Sequence, residues 1–134
     1  MYRIEAESWG VIITFAENVT PEEARRYDED LVPIRAKLAG KQWGVICDCQ
    51  NLGVLQPGAQ EILKKSQEDG KKSGMLRSCV ILAAPIPIMH AKRFAKETGI
   101  YEWERYLNGH TNPNWKQQAL DWVIKGIDPE MSFT

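Results

Sequence analysis

The sequence predicts an α/β fold: a mixed central sheet with an opening β-hairpin, followed by β-α units whose helices pack on the sheet. Two observations carry that reading. Short β-branched, apolar runs alternate with segments whose apolar residues recur every three or four positions. Prolines at 21, 57 and 113 punctuate the chain where helices should open. No internal repeat or interdomain linker breaks the 134 residues, so a single domain over 1–134 is expected.

The elements follow in order. Tyr2 to Glu7 alternates apolar positions with Arg3, Glu5 and Glu7, Ser8-Trp9-Gly10 turns, and Val11 to Ala16 is the second hairpin strand. Thr20 is an N-cap, Pro21 fits the first helical position, and Glu23 completes a capping box. Ala24, Tyr27, Leu31, Ile34 and Leu38 continue that helix to Gly40, with a kink or break expected at Pro33. Trp43 to Asp48 reads as a buried strand, and Cys49 to Gly58 reads as a polar loop. A helix from Ala59 should stop around Gly70, before a basic loop to Gly74. Ser78 to Ala84 is a second buried strand, broken by Pro85 and Pro87 before a helix from Ile88 to Thr98. Ile100 to Leu107 suits an edge strand, with a helix as the alternative. Asn112-Pro113 opens a last helix carrying Trp115, Ala119, Trp122 and Val123, stopped by Gly126.

Composition excludes several classes. Seventeen Lys and Arg against 18 Asp and Glu give a net charge of -1, which argues against a nucleic-acid partner. The first twenty residues lack a basic start and an apolar core, so no secretory signal is expected. The longest nearly apolar run, Cys79 to Met89, contains two prolines and falls short of the ~20 residues that span a bilayer. Three cysteines read as reduced thiols, which places the chain in the cytoplasm.

No assembled catalytic set is visible, and neither a metal nor a cofactor is expected. Cys47 and Cys49 would share a strand face with Cβ atoms about 6.6 Å apart, too far for the ~3.8 Å of a disulfide while the strand is regular. A zinc site would need Cys79 and His90 as well, without the usual paired spacing. A Cys-His nucleophile using His90 or His110 lacks a signal that exposes the thiol. The loop GKKSG has the wrong order and context for a phosphate cradle. Lys64, Lys65, Lys71 and Lys72, with Lys92, Arg93 and Lys96, form either a positive patch or solvated faces balanced by Glu61, Glu68, Asp69 and Glu97. The segment from Asp48 to Ala59 is more informative, because it leaves the carboxyl end of a buried strand, where α/β proteins bind ligands. Asp48, Gln50, Asn51, Gln56 and Gly58 are candidate binding residues there. Alternatively, Asp48 and Asn51 bond the loop's own backbone.

Val19-Thr20-Pro21-Glu22-Glu23, Leu31-Val32-Pro33, the strand Trp43 to Asp48, the strand Arg77 to Ala84, Tyr106-Leu107 and Ala119-Leu120-Asp121-Trp122-Val123 together resemble the SpoIIAA-like family of small bacterial proteins, related to STAS domains. The resemblance implies a SpoIIAA-like sandwich and a protein-interaction or ligand-sensing module rather than an enzyme. Anti-sigma antagonists of this kind open the helix after the Asp-ending strand with a phosphorylatable serine. The matching turn here, Leu55 to Ala59, has no serine or threonine, so that switch is not carried over. Two expectations result: a non-catalytic regulatory module that meets a protein partner or a second copy through Asp48 to Ser66, or a carrier or sensor of a small apolar molecule. For the second, Phe94, Trp103, Trp115 and Trp122 are the candidate pocket residues.

Overall fold

The computed structural model describes residues 1–83 and 85–129, leaving aside the side chains of 85–88 and 90. The end of the predicted strand at Ala84, the Ile88 side chain and the His90 imidazole therefore lie outside the described residues. The chain runs β1 (Tyr2–Glu7), β2 (Gly10–Val19), α1 (Pro21–Leu38), β3 (Trp43–Leu55), α2 (Pro57–Lys72), β4 (Met75–Leu82), α3 (Pro85–Thr98), a 3-10 turn at Tyr101–Trp103, β5 (Glu104–Asn108) and α4 (Trp115–Leu120), which continues as a π-helical turn over Asp121–Lys125. The strands form one sheet in the order β1-β2-β3-β4-β5. β1 is antiparallel to β2, as the hairpin requires, and the other three pairings are parallel.

α1 starts where the cap chemistry says it should: the Thr20 hydroxyl oxygen accepts from the Glu23 amide at 3.2 Å. The capping box is only half made, because the Glu23 carboxylate pairs with the N-terminal ammonium. Pro33 does not break the helix. It lies on the exposed face, where water can take the carbonyl that its missing N–H leaves free. The expected stop at Gly70 is also corrected. α2 runs on to Lys72, because Gly70 faces Trp43 and Met75 closely and is buried within the helix. β4 begins three residues earlier than expected, at Met75, and α3 takes the prolines of 85 and 87 into its first turn.

The largest correction concerns the polar loop after Asp48. β3 continues through it to Leu55, because β2 also runs on, to Val19, and offers a pairing edge. Between Thr14 and Ala16 the register shifts, so Phe15 faces both Cys49 and Gln50 in a β-bulge. A second shift follows between Glu17 and Val19.

Period-two alternation splits the core. On one face, Val11, Ile13, Phe15, Val45, Val80, Leu82 and Tyr106 meet Ala24, Tyr27 and Leu31 of α1 and Ala59 of α2. On the other, Ile46, Cys79, Ile81 and Leu107 meet Ala119, Trp122 and Val123 at the end of the chain. Gly10 and Gly44 lie opposite each other in the β2–β3 pair. A Cβ on Gly44 would stand 2.8 Å from the Val123 Cβ, so the bare backbone is what lets the last helix settle here. No described helix is long and apolar enough to cross a membrane.

Candidate functional site

Between the first sheet face and its helical roof the packing is incomplete. A cavity of about 400 Å³ remains, within the range of roughly 300–1,000 Å³ typical of small-molecule pockets. Its floor is Val11, Ile13 and Phe15 of β2, Val45, Cys47 and Cys49 of β3, and Val80 and Leu82 of β4. Tyr27, Leu31 and Arg35 of α1, Leu63 and Ser66 of α2, and Ala91 and Phe94 of α3 form the roof. Leu52 to Leu55 line it where β3 ends, beside the exposed Val54.

Few polar groups interrupt this wall. Arg35 falls on the buried stripe of α1, four residues after Leu31, and donates to Ser66 Oγ at 3.1 Å and to Asp28 Oδ1 at 3.3 Å. Glu104 opens β5 facing the same space. Its carboxylate accepts from Tyr106 OH at 2.6 Å, from Ser78 Oγ at 3.1 Å and from Gln67 Nε2 at 3.4 Å. Burial pushes the Glu104 carboxyl up to about 7, against the opposing pull of the Tyr106 and Ser78 hydrogen bonds. The phenol of Tyr27 is raised by burial as well.

Cys47 and Cys49 both face the cavity, with their sulfurs 3.4 Å apart in an S–H···S contact. The separation expected of a regular strand does not apply at the bulge. All three cysteines are free. The contact with Cys49, then burial, holds the Cys47 thiol well above its ordinary value, and burial does the same to Cys79 in the other core. Their thiolate forms are disfavoured at neutral pH. Among the described residues, no cluster of three or more His, Cys, Asp or Glu groups is placed to hold a metal.

The residues singled out after Asp48 behave as strand and cap residues. Asp48 Oδ1 accepts from the Gln50 amide at 3.2 Å and from Gln50 Nε2 at 3.1 Å, which is the local bonding that such a residue can supply. Asn51 is exposed in β3, paired with Ala16. Gln56 caps α2 through its backbone position alone, and Gly58 lies against the Pro21 ring. None of these five lines the cavity. Of the four aromatic candidates, only Phe94 does. Trp103 is 47% exposed, and Trp115 and Trp122 pack on the opposite face of the sheet, where the Trp122 indole donates to the Ser78 carbonyl at 3.0 Å. Trp103, Trp115 and Trp122 therefore stand apart from this cavity, which lies across the sheet from the last helix. Arg35 and Glu104 were the residues missed, although each is a charge at an apolar position of its periodic pattern.

Three of the seven residues of the basic faces are paired within the chain. Lys64 pairs with Glu97 at 2.8 Å, Arg93 donates to Gln60 Oε1, and Lys71 donates to the Gly99 carbonyl.

No family model matches this sequence, and no curated protein matches it. Several solved structures are similar in fold, two of them as follows. An uncharacterised protein of the DUF3478 family from Shewanella loihica PV-4, described as having a SpoIIAA-like fold, is 15% identical, with a TM-score of 0.67 over 92% of each chain. The anti-sigma factor antagonist SpoIIAA in its unphosphorylated form is 8% identical, with a TM-score of 0.57 over 87% of this chain and 96% of its own. The strand order, the helical roof over one sheet face and these likenesses make the fold of this chain SpoIIAA-like.

Proposed function

We propose that this chain is a non-catalytic STAS-like module that binds a small, largely apolar molecule between its sheet and the roof of α1, α2 and α3. The cavity of about 400 Å³ carries this reading, since well-packed interiors leave few voids larger than a water molecule. Its wall is aliphatic and aromatic with a few convergent polar groups, the usual make-up of a ligand pocket. The raised thiols of Cys47 and Cys79 weigh against a thiol enzyme. Three free cysteines, two with adjoining sulfurs, suit a reducing compartment, and we place the chain in the cytoplasm. Native mass spectrometry of the purified protein, with displacement of a fluorescent apolar probe, tests the proposal. A co-purifying molecule or saturable displacement supports it; a ligand-free protein that takes up no probe sinks it.

The likeness to an anti-sigma factor antagonist favours a second reading, a regulatory module that meets a protein partner or a second copy through the surface from Asp48 to Ser66. Asn51, Val54 and Pro57 are exposed there. A chain that sediments as a monomer and retains no partner in co-purification would remove this reading without touching the first.

A further inference from the structure

The cavity wall carries two charged side chains in different electrostatic states. Arg35 is compensated: its guanidinium pairs with Asp28 and donates to Ser66. Glu104 is not. Its three hydrogen-bond donors, Tyr106, Ser78 and Gln67, are all neutral, and no lysine or arginine among the described residues forms a salt bridge with it. A carboxylate offers about four acceptor sites, so one remains open. An ionised carboxylate in an apolar wall is costly unless a cation joins it.

We propose that the cavity's ligand is an amphipathic amine: a largely apolar molecule with one protonated nitrogen that fills the open acceptor site of Glu104. This rests on the ligand-binding reading and names the head group that such a ligand carries. An ammonium supplies three donors and the missing positive charge. A carboxylic acid would set a second anion beside Glu104, and an alcohol would leave the charge uncompensated. The apolar tail lies along Val80, Leu82 and Phe94. Other ionisable groups do not take the cation's place. Cys47 of β3, Cys79 of β4 and Tyr106 of β5 are held protonated, and Arg105 pairs with Asp128 at 2.8 Å. α2 presents the neutral Gln67, and α3 presents Thr98 to Gln67, while Lys92 of α3 stands over the Tyr106 ring at 5.6 Å.

The test compares n-octylamine, 1-octanol and octanoate, which share one tail, by calorimetric titration at pH 8. Octylamine should bind about tenfold tighter than octanol, with octanoate weakest. Glu104→Gln should erase the amine's advantage and keep octanol binding. Wild-type protein at pH 5.5, where Glu104 takes up a proton, gives the same comparison without a substitution, and the advantage should shrink by about tenfold. Octanoate binding as well as octylamine, or an amine advantage that survives both Glu104→Gln and pH 5.5, overturns the amine assignment alone. If octanol and the other two all fail to bind, the ligand-binding reading falls with it.

Discussion

Glu104 is the residue whose chemistry departs most from its ordinary behaviour, and the departure has a thermodynamic sign. Its folded carboxyl titrates at about 7, above the ordinary 4.5 of the unfolded chain. Between these values the folded state binds the extra proton. Its contribution to stability is therefore fully present below about pH 4.5 and is lost as pH rises through 7. The full loss is on the order of 3 kcal/mol. Melting temperatures of wild type and Glu104→Gln should accordingly diverge between pH 5 and 8, with the wild type falling relative to the variant. Parallel melting curves across that range would mean that the carboxyl is not desolvated as described. The position was legible in part. Reading Ile100 to Leu107 as an edge strand puts residues 104 and 106 on one face, so the alternation already sets Glu104 beside Tyr106. What no strand pattern could reveal is that Ser78 and Gln67, from β4 and α2, would close around the same carboxylate.

At the scale of elements, the periodic stretches were readable and the corrections cluster where tertiary pairing overrides local chemistry. Thr20-Pro21 fixed the start of α1 because capping is local. Cys49 to Leu55 looks like a loop because its residues are polar and contain Gly53, and only the continuation of β2 to Val19 turns it into strand. Trp115 and Trp122 pack on the sheet face opposite the cavity, a placement hidden from the sequence because periodicity identifies a buried face without saying which side of the sheet it meets. Two substitutions test these elements. Pro33→Ala should stabilise α1 by about 1–2 kcal/mol, because the ring is on the exposed face and the alanine restores an N–H donor; urea unfolding measures it. Gly44→Ala should destabilise the chain by roughly 1–3 kcal/mol, because the added methyl lands 2.8 Å from the Val123 Cβ and 3.1 Å from its carbonyl. An unchanged midpoint for Gly44→Ala would show that the last helix is not held so close to β3.

At the scale of the whole molecule, one sheet serves two cores of unequal quality. The face under α4 is closed by Trp122 and Val123, both nearly inaccessible to solvent, whereas the face under α1 to α3 keeps its space. A fold stabilised by small margins retains such a void at a cost, since apolar surface there lacks partner atoms. Filling it should therefore be tolerated thermodynamically and damaging functionally. Val80 on the central strand β4 lines the cavity, and Val80→Phe adds a ring where the space exists. The expected outcome is a melting temperature equal to or above that of the wild type, together with loss of octanol and octylamine binding. The same change in a closed core would cost about 1–3 kcal/mol through overpacking, as Ile81→Phe on the opposite face should show. If both variants melt lower by a similar amount, the two faces are equally full and the cavity is not an open space in solution. A stable Val80→Phe that still binds both ligands would move the binding site elsewhere on the molecule.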